Sequence, residues 1–101
     1  MIKMTILYGN PTDPEAFERY YAQTHLPISA NLTGMSRIEL TRFGPGMDGG
    51  QPAYHRMVEL YFPTEAQMQA TFSSPAGQAV AADVPKFATG GVTMLVGSVV
   101  G

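Results

Sequence analysis

The sequence contains no cysteine, so disulfide bonds, thiolate catalysis and thiolate metal sites are excluded. Charge is also scarce, because Asp, Glu, Lys and Arg make up 14% of the 101 residues, whereas about 25% is typical of soluble domains. Hydrophobic residues make up 45%. That leaves too little charge to coat a small monomer, and large exposed apolar patches are uncommon on monomers. We therefore expect some apolar surface to contact a second copy of the chain or a ligand.

Long apolar runs and basic clusters are missing as well. No stretch approaches the roughly 18 apolar residues that are needed to cross a bilayer. The apolar first residues, Met1 to Tyr8, lack a basic leader and a small-residue cleavage site. We therefore expect a cytoplasmic protein without a membrane partner. The six basic residues are scattered among eight acidic ones, so nucleic acid is not an expected partner either.

The length fits one domain, residues 1–101, and hydrophobic periodicity predicts its elements. In chain order these are a strand at 2–8, a helix from 14, strands at 35–43 and 53–62, a helical region at 64–83 whose two pieces start at the capping residues Thr64 and Ser74, and a strand at 92–100. This βαββαβ order predicts an α+β, ferredoxin-like fold, a four-stranded antiparallel sheet with its helices on one face. The last strand is almost wholly apolar, so we expect it to be buried on both faces. A second copy of the sheet would cover the open face.

Local signals predict where the first helical region starts, breaks and ends. Asp13 and Pro14 are typical of a helix start, as N-cap and first helical residue. Because Pro27 lacks a backbone N–H, we expect a break after His25 and a short second piece. Gly34 is predicted to end that piece in a left-handed conformation.

Polar residues on the two central hairpin strands form a first group of candidate site residues. If Ile38 and Leu40 face the helices, a polar set faces the other way. Its members are Arg37, Glu39, Thr41, His55, Met57, Glu59 and Tyr61. They could line a pocket of apolar walls with a few placed polar groups. They could equally be ordinary cross-strand pairs at a rim or at the dimer contact.

His25 is the candidate general acid or base. At a proline-broken helix end its ring would lie near unpaired carbonyls, which favour the charged imidazolium. The alternative is that His25 only caps the helix. Neither His has a partner at metal-ligand spacing and the Asp residues are far apart in sequence, so no metal site is expected. There is no dinucleotide glycine motif or phosphate-cradling loop, so no cofactor is expected.

Several segments together resemble one protein family. Residues 13–21, 24–28 and 32–35, followed by 53–55 and 58–62, are similar to the EthD family of the dimeric α+β barrel superfamily, and the similarity continues through the second helical region. The resemblance implies a ferredoxin-like fold, a homodimer and a pocket between sheet and helices. In isomerase-like members the His that matches His25 lies at the active site. Glu39 stands where those members have an aromatic hydroxyl.

Three functions follow as hypotheses from the residues and the resemblance. The first is a cofactor-independent enzyme of isomerase, cyclase or oxygenase type that acts on a small hydrophobic carbonyl, lactone or aromatic compound. In it His25 is the catalytic acid or base, and Arg37, Tyr54 or His55 polarises an oxygen. The expected substrate-binding residues are Tyr21, Arg37, Glu39, Tyr54, His55 and Met57. The second hypothesis is a non-catalytic binding or accessory homodimer of a degradation pathway. The third, ranked last, is haem binding.

Overall fold

The computed structural model describes all of residues 1–101, and its elements follow the predicted order. They are β1 (Ile2–Gly9), α1 (Pro14–Tyr20), a π-helical turn (Tyr21–His25), α2 (Leu26–Ser29), β2 (Arg37–Arg42), β3 (Tyr54–Phe62), α3 (Glu65–Ser73), α4 (Pro75–Asp83), a 3-10 turn (Val84–Lys86) and β4 (Val92–Ser98). None of the helices is long and apolar enough to cross a membrane.

The four strands form one antiparallel sheet in the order β2-β3-β1-β4. Alternation along β1 and β3 puts one set of apolar side chains toward the helices. Ile6 lies opposite Val58 and Met4 opposite Leu60, and Ile6, Val58 and Leu60 belong to the buried core. The core continues into the helices through Phe17, Tyr21 and Met68. The predicted ferredoxin-like α+β fold is therefore confirmed.

Local hydrogen bonds confirm the predicted helix starts. Asp13, Thr64 and Ser74 each accept a hydrogen bond, at 3.1 Å, from the backbone N–H three residues later. These bonds satisfy N–H groups that the helix itself leaves without partners. Gly34 has the predicted positive φ, 93°, but it does not end the helix, because α2 ends at Ser29 and is capped by Ala30 in a right-handed conformation.

The predicted break after His25 is wrong. The backbone stays helical from Pro14 to Ser29 by way of the π-helical turn, in which the N–H of Leu26 donates to the carbonyl of Tyr21 five residues earlier. Pro27 follows directly after this π-helical turn, so the N–H that it lacks falls where the α-helical hydrogen-bond pattern is already interrupted. The extra residue of the π turn absorbs the mismatch that would otherwise break the helix.

β4 also differs from its prediction, because none of its residues is buried in the single chain. β4 is an edge strand, and the buried strand residues of the core lie in β1 and β3. Met94, Leu95 and Val96 are 50%, 55% and 54% exposed. The apolar character of β4 is therefore not explained by the packing of one chain.

Candidate active site

A cavity of about 230 Å³ lies between the sheet and the helices. Of the 14 residues that line it, 12 are hydrophobic, and none is Lys, Arg, Asp or Glu. The strands contribute aliphatic walls, and the first helical region contributes Tyr21, His25 and Ser29. The Ser29 hydroxyl donates to the carbonyl of Leu26 at 3.0 Å, so it is already satisfied. Such an apolar site with a few polar groups suits a small hydrophobic molecule.

His25 is tied to a carboxylate that is far away in sequence. The last residue of the π turn, it is only 4% exposed. Its Nδ1 lies 2.9 Å from Oδ2 of Asp83, which ends α4 and is 3% exposed. The Tyr20 hydroxyl donates to the other carboxylate oxygen, Oδ1, at 2.6 Å. Three helical segments thus bring Tyr20, Asp83 and His25 into one hydrogen-bonded chain that ends at the cavity.

The charge of Asp83 sets the tautomer of His25. Burial alone would raise the pKa of Asp83, but the hydrogen bonds from Tyr20 and His25 and the nearby positive charges outweigh it, and the pKa lies below its ordinary value. The ionised carboxylate accepts a proton-bearing Nδ1, so a neutral His25 carries its lone pair on Nε2. Nε2 makes no hydrogen bond within the chain, and no fully buried side-chain polar atom lacks a partner. Nε2 is therefore not fully enclosed, and the cavity is an open space that the His25 side chain lines.

Two tyrosines supply the remaining polar atoms of the cavity wall. Tyr8 and Tyr21 line the cavity and are 1% and 2% exposed. Burial raises the pKa of Tyr21 to about 12, and burial, with the nearby Tyr21 and Asp83, raises that of Tyr8 well above its usual value. Both phenols therefore stay protonated at any physiological pH.

An ion cluster supports the wall behind Tyr21. The Glu18 carboxylate accepts hydrogen bonds from Arg56 at 2.6 and 2.8 Å, and lies 2.9 Å from Nε2 of His55. The hydrogen bond from Arg56, helped by the one from His55 and opposed by burial, lowers the pKa of Glu18 to about 2. The Arg56 guanidinium lies 4.7 Å from the centre of the Tyr21 ring. The cluster therefore holds one face of that ring in place.

The structure brings together only two of the seven residues proposed from the sequence as site residues, Tyr21 and His25. Arg37, Glu39 and Met57 lie on the open face of the sheet, opposite to the cavity. Glu39 there pairs with Arg37 at 3.1 Å and accepts a hydrogen bond from Tyr61. The first contact lies within β2 and the second joins β3 to β2. On this face the side chains cannot reach a ligand held against His25 in the same chain.

The prediction that His55 faces away from the helices is wrong. The register between β1 and β3 shifts between Tyr8 and Gly9, and this irregularity breaks the simple alternation at the start of β3. His55 therefore turns toward α1, where it bonds Glu18 and packs 4.8 Å from the Phe17 ring. Tyr54, the first residue of β3, is exposed. Neither lines the cavity.

Sequence reasoning did not find Asp83 or Tyr8. In the sequence, Asp83 marks the end of the second helical region and lies far from the other Asp residues, and Tyr8 is the last residue of the first predicted strand. No group of three or more His, Asp or Glu side chains lies close enough together to hold a metal ion. Apart from the Ser29 hydroxyl, the polar side-chain atoms at the cavity are those of the His25 imidazole and of the Tyr8 and Tyr21 phenols.

The sheet order and the one-sided helices place the chain among the ferredoxin-like α+β proteins. Its fold is similar to that of SnoaB, a cofactor-independent oxygenase from Streptomyces nogalater, with a TM-score of 0.68 at 13% identity over 97% of this chain and 91% of that one.

A more specific similarity identifies the family. The model of the EthD domain matches residues 10–91. An ethyl tert-butyl ether D (EthD) family protein from Bacillus halodurans superposes with a TM-score of 0.91 at 28% identity, over 99% of both chains. An uncharacterized 11.0 kDa protein in the thcB-thcC intergenic region of Rhodococcus erythropolis is 39% identical over 94% of this chain and 91% of its own length. The chain belongs to the EthD family.

Proposed function

We propose that this protein is a cofactor-independent enzyme that acts on a small hydrophobic carbonyl, lactone or aromatic compound, with His25 as its general base. The observation that carries the proposal is the state of the His25 ring. Its Nδ1 is bound to the ionised Asp83 while its Nε2 is unpartnered at a cavity with no charged lining residue. A buried imidazole so held is suited to accept a proton.

The geometry supports one elementary step. Nε2 takes a proton from a carbon next to a carbonyl, or from a phenol, and the electron pair of the broken bond stays on the substrate, as an enolate or a phenolate. Asp83 stabilises the imidazolium that forms, and Tyr20 keeps the carboxylate in place through its 2.6 Å hydrogen bond. The apolar walls exclude water, which strengthens these electrostatic interactions. That step is common to isomerase, cyclase and oxygenase chemistry, and the description of SnoaB as a cofactor-independent oxygenase supports the absence of a cofactor.

Exchange of a carbon-bound hydrogen tests the base directly. Indan-1-one, a small bicyclic ketone, is incubated with the protein in D₂O and loss of the hydrogens next to its carbonyl is followed by NMR. We expect the parent to accelerate exchange and His25→Asn to lose about a hundredfold of that acceleration or more, a typical contribution of general-base catalysis. Asn retains a donor for Asp83, and circular dichroism gives the folded fraction by which the rate is corrected.

The chain offers a matched control in its other histidine. His55 is also buried and bound to a carboxylate, but it does not line the cavity. His55→Asn should therefore keep the exchange rate of the folded fraction. Equal rates in His25→Asn and the parent would contradict the proposal. If the parent binds indan-1-one without accelerating exchange, the non-catalytic binding protein becomes the better description.

The active form is a homodimer in this proposal. β4 exposes Val92, Met94, Leu95 and Val96 in the single chain, and Val99 and Val100 follow it. Such an exposed apolar patch on a small domain with 14% charged residues is expected to be buried by a partner, and a second copy of the chain is the simplest partner. The open face of the sheet is compatible with such a contact, because its charges are paired within the chain as Lys3–Glu59 and Arg37–Glu39.

A further inference from the structure

We infer that the hydroxyls of Tyr8 and Tyr21 together bind an oxygen atom of the ligand, so that the cavity accepts neutral molecules with a carbonyl or phenolic oxygen on an otherwise apolar body. This rests on the proposed function in that the same cavity is used, and it names the chemical class of the substrate. It assigns to Tyr8 and Tyr21 the oxygen-polarising role that the sequence had given to Arg37, Tyr54 or His55.

The hydrogen bonding of the tyrosines is the first observation. Tyr20 donates to Asp83 and Tyr61 donates to Glu39. Tyr8 and Tyr21 are the most buried of the five tyrosines, yet their hydroxyls bind no atom of the chain. Buried polar groups in proteins are nearly always hydrogen-bonded. Since no polar atom without a partner is fully enclosed, both hydroxyls keep contact with open space, and the space that both side chains line is the cavity.

The positions of the two rings are the second observation. Their centres are 5.9 Å apart in an edge-on arrangement, and each ring is fixed by aromatic neighbours. Phe17 packs against both, at 5.6 Å from Tyr8 and 5.7 Å from Tyr21, and Arg56 covers one face of Tyr21. The hydroxyls are thus carried by rigid side chains, which is the condition for a preorganised binding site.

Protonation decides what these hydroxyls can bind. Because burial keeps both phenols neutral, they can donate to an oxygen acceptor but cannot balance a cation. No Lys or Arg lines the cavity, so a carboxylate or phosphate group would be buried without a counter-charge. A neutral ketone, lactone or phenol satisfies the donors at no such cost.

The same placement completes the chemistry of His25. When Nε2 takes a proton from the carbon next to a carbonyl, the C–H bond breaks and its electron pair moves to the carbonyl oxygen, giving an enolate. Hydrogen bonds from Tyr8 and Tyr21 to that oxygen strengthen as its negative charge grows. Donors and base act at opposite ends of the enolising unit, so no oxidant, reductant or metal is needed for this step.

The test compares two probes that differ only in the oxygen, indan-1-one and indane, by NMR titration. We expect the parent to bind the ketone more tightly. Tyr8→Phe and Tyr21→Phe should each reduce that preference about threefold to tenfold, the value of one neutral hydrogen bond, and leave indane affinity unchanged. Tyr61→Phe, which removes a hydroxyl on the open face, should keep the full preference. A preference that survives in both cavity variants, or equal affinity or no binding of both probes to the parent, would overturn the inference.

Thermal stability gives a second measurement that needs no ligand. Removing a hydroxyl that binds nothing should leave the melting temperature of Tyr8→Phe and Tyr21→Phe unchanged or raised, whereas Tyr20→Phe should melt lower because it loses its bond to Asp83. A lower melting temperature in both cavity variants would show that their hydroxyls are bound in the protein and would refute the inference. A different result would refute only the role of His25 as general base. In it, Tyr8→Phe and Tyr21→Phe lose the preference for the ketone, whereas His25→Asn still exchanges the hydrogens of indan-1-one at the parent rate.

Discussion

Replacing Glu18 by Gln should remove most of the acid sensitivity that the ion cluster confers on the fold. The hydrogen bonds from Arg56 and His55 hold the pKa of Glu18 at about 2, against an ordinary value of 4.5. A carboxyl whose pKa is lower in the folded state stabilises the fold above the unfolded value. It loses that contribution as the pH falls through the folded value. The contribution is therefore complete at neutral pH and disappears between about pH 4.5 and about pH 2.

The size of the effect follows from the same depression of the pKa. A change from 4.5 to about 2, at about 1.4 kcal/mol for each tenfold change in proton affinity, corresponds to about 3 kcal/mol. The Glu18 side chain is 20% exposed, and solvent screening reduces the expected value to about 2 to 3 kcal/mol. At pH 7 the Glu18→Gln variant should be less stable than the parent by this amount, because Arg56 is left half-buried without its carboxylate. The difference should shrink toward zero near pH 2.

Urea unfolding followed by circular dichroism, at several pH values between 7 and 2.5 and at fixed protein concentration, measures the difference. Glu15→Gln is the matched control, since Glu15 is an exposed acid of the same helix without an ion partner. Its stability should follow the parent at every pH. If the gap between the parent and Glu18→Gln stayed constant from pH 7 to pH 2.5, the depressed pKa of Glu18 would not be its cause. The assignment of the cluster as a stabilising element would then fail.

Two further expectations concern assembly and the long loop. Sedimentation of the parent at micromolar concentration should give about twice 10.9 kDa, and a monomeric parent would rule out the dimer. Met94→Asp on β4 should sediment as a monomer, because burying an unpaired charge in the contact costs several kcal/mol, whereas Gln69→Asp on the exposed side of α3 should remain a dimer. Deleting Gly49 and Gly50 from the segment 44–52 should change the unfolding free energy by less than about 1 kcal/mol, since closure entropy depends weakly on loop length. A larger loss in denaturant unfolding would show that the loop packs against the domain.

Features that depend on neighbours in sequence could be predicted from the sequence. The helix starts at Asp13, Thr64 and Ser74 each rest on one hydrogen bond to a residue three positions later. The apolar alternation of β1 and β3 likewise indicates which side chains share a face of the sheet. Together with the order of the elements, this alternation was sufficient to predict the fold. His25 could be singled out as a candidate because it is one of two histidines and lies in the segment that is most similar to the EthD family.

The partners of these residues were decided by the tertiary structure. Asp83 is 58 positions from His25 and 63 from Tyr20, and no local pattern connects them. The bulge that turns His55 inward depends on how β3 pairs with β1, so strand alternation alone assigned it to the wrong face. The π turn, in which Tyr21 and His25 are both buried, follows from no local capping or proline rule.

What the sequence determined by itself is therefore the βαββαβ order, the helix starts set by capping residues, and the type of residue available for chemistry. What only the tertiary structure decided is which face of the sheet holds the cavity, that Tyr8 and Tyr21 reach it without partners, and that Asp83 orients His25. The physical reason is the distance along the sequence over which each interaction acts. Capping and alternation are interactions within a few residues, whereas the tautomer of a buried imidazole and the protonation of a phenol depend on charges and burial supplied by distant segments of the chain.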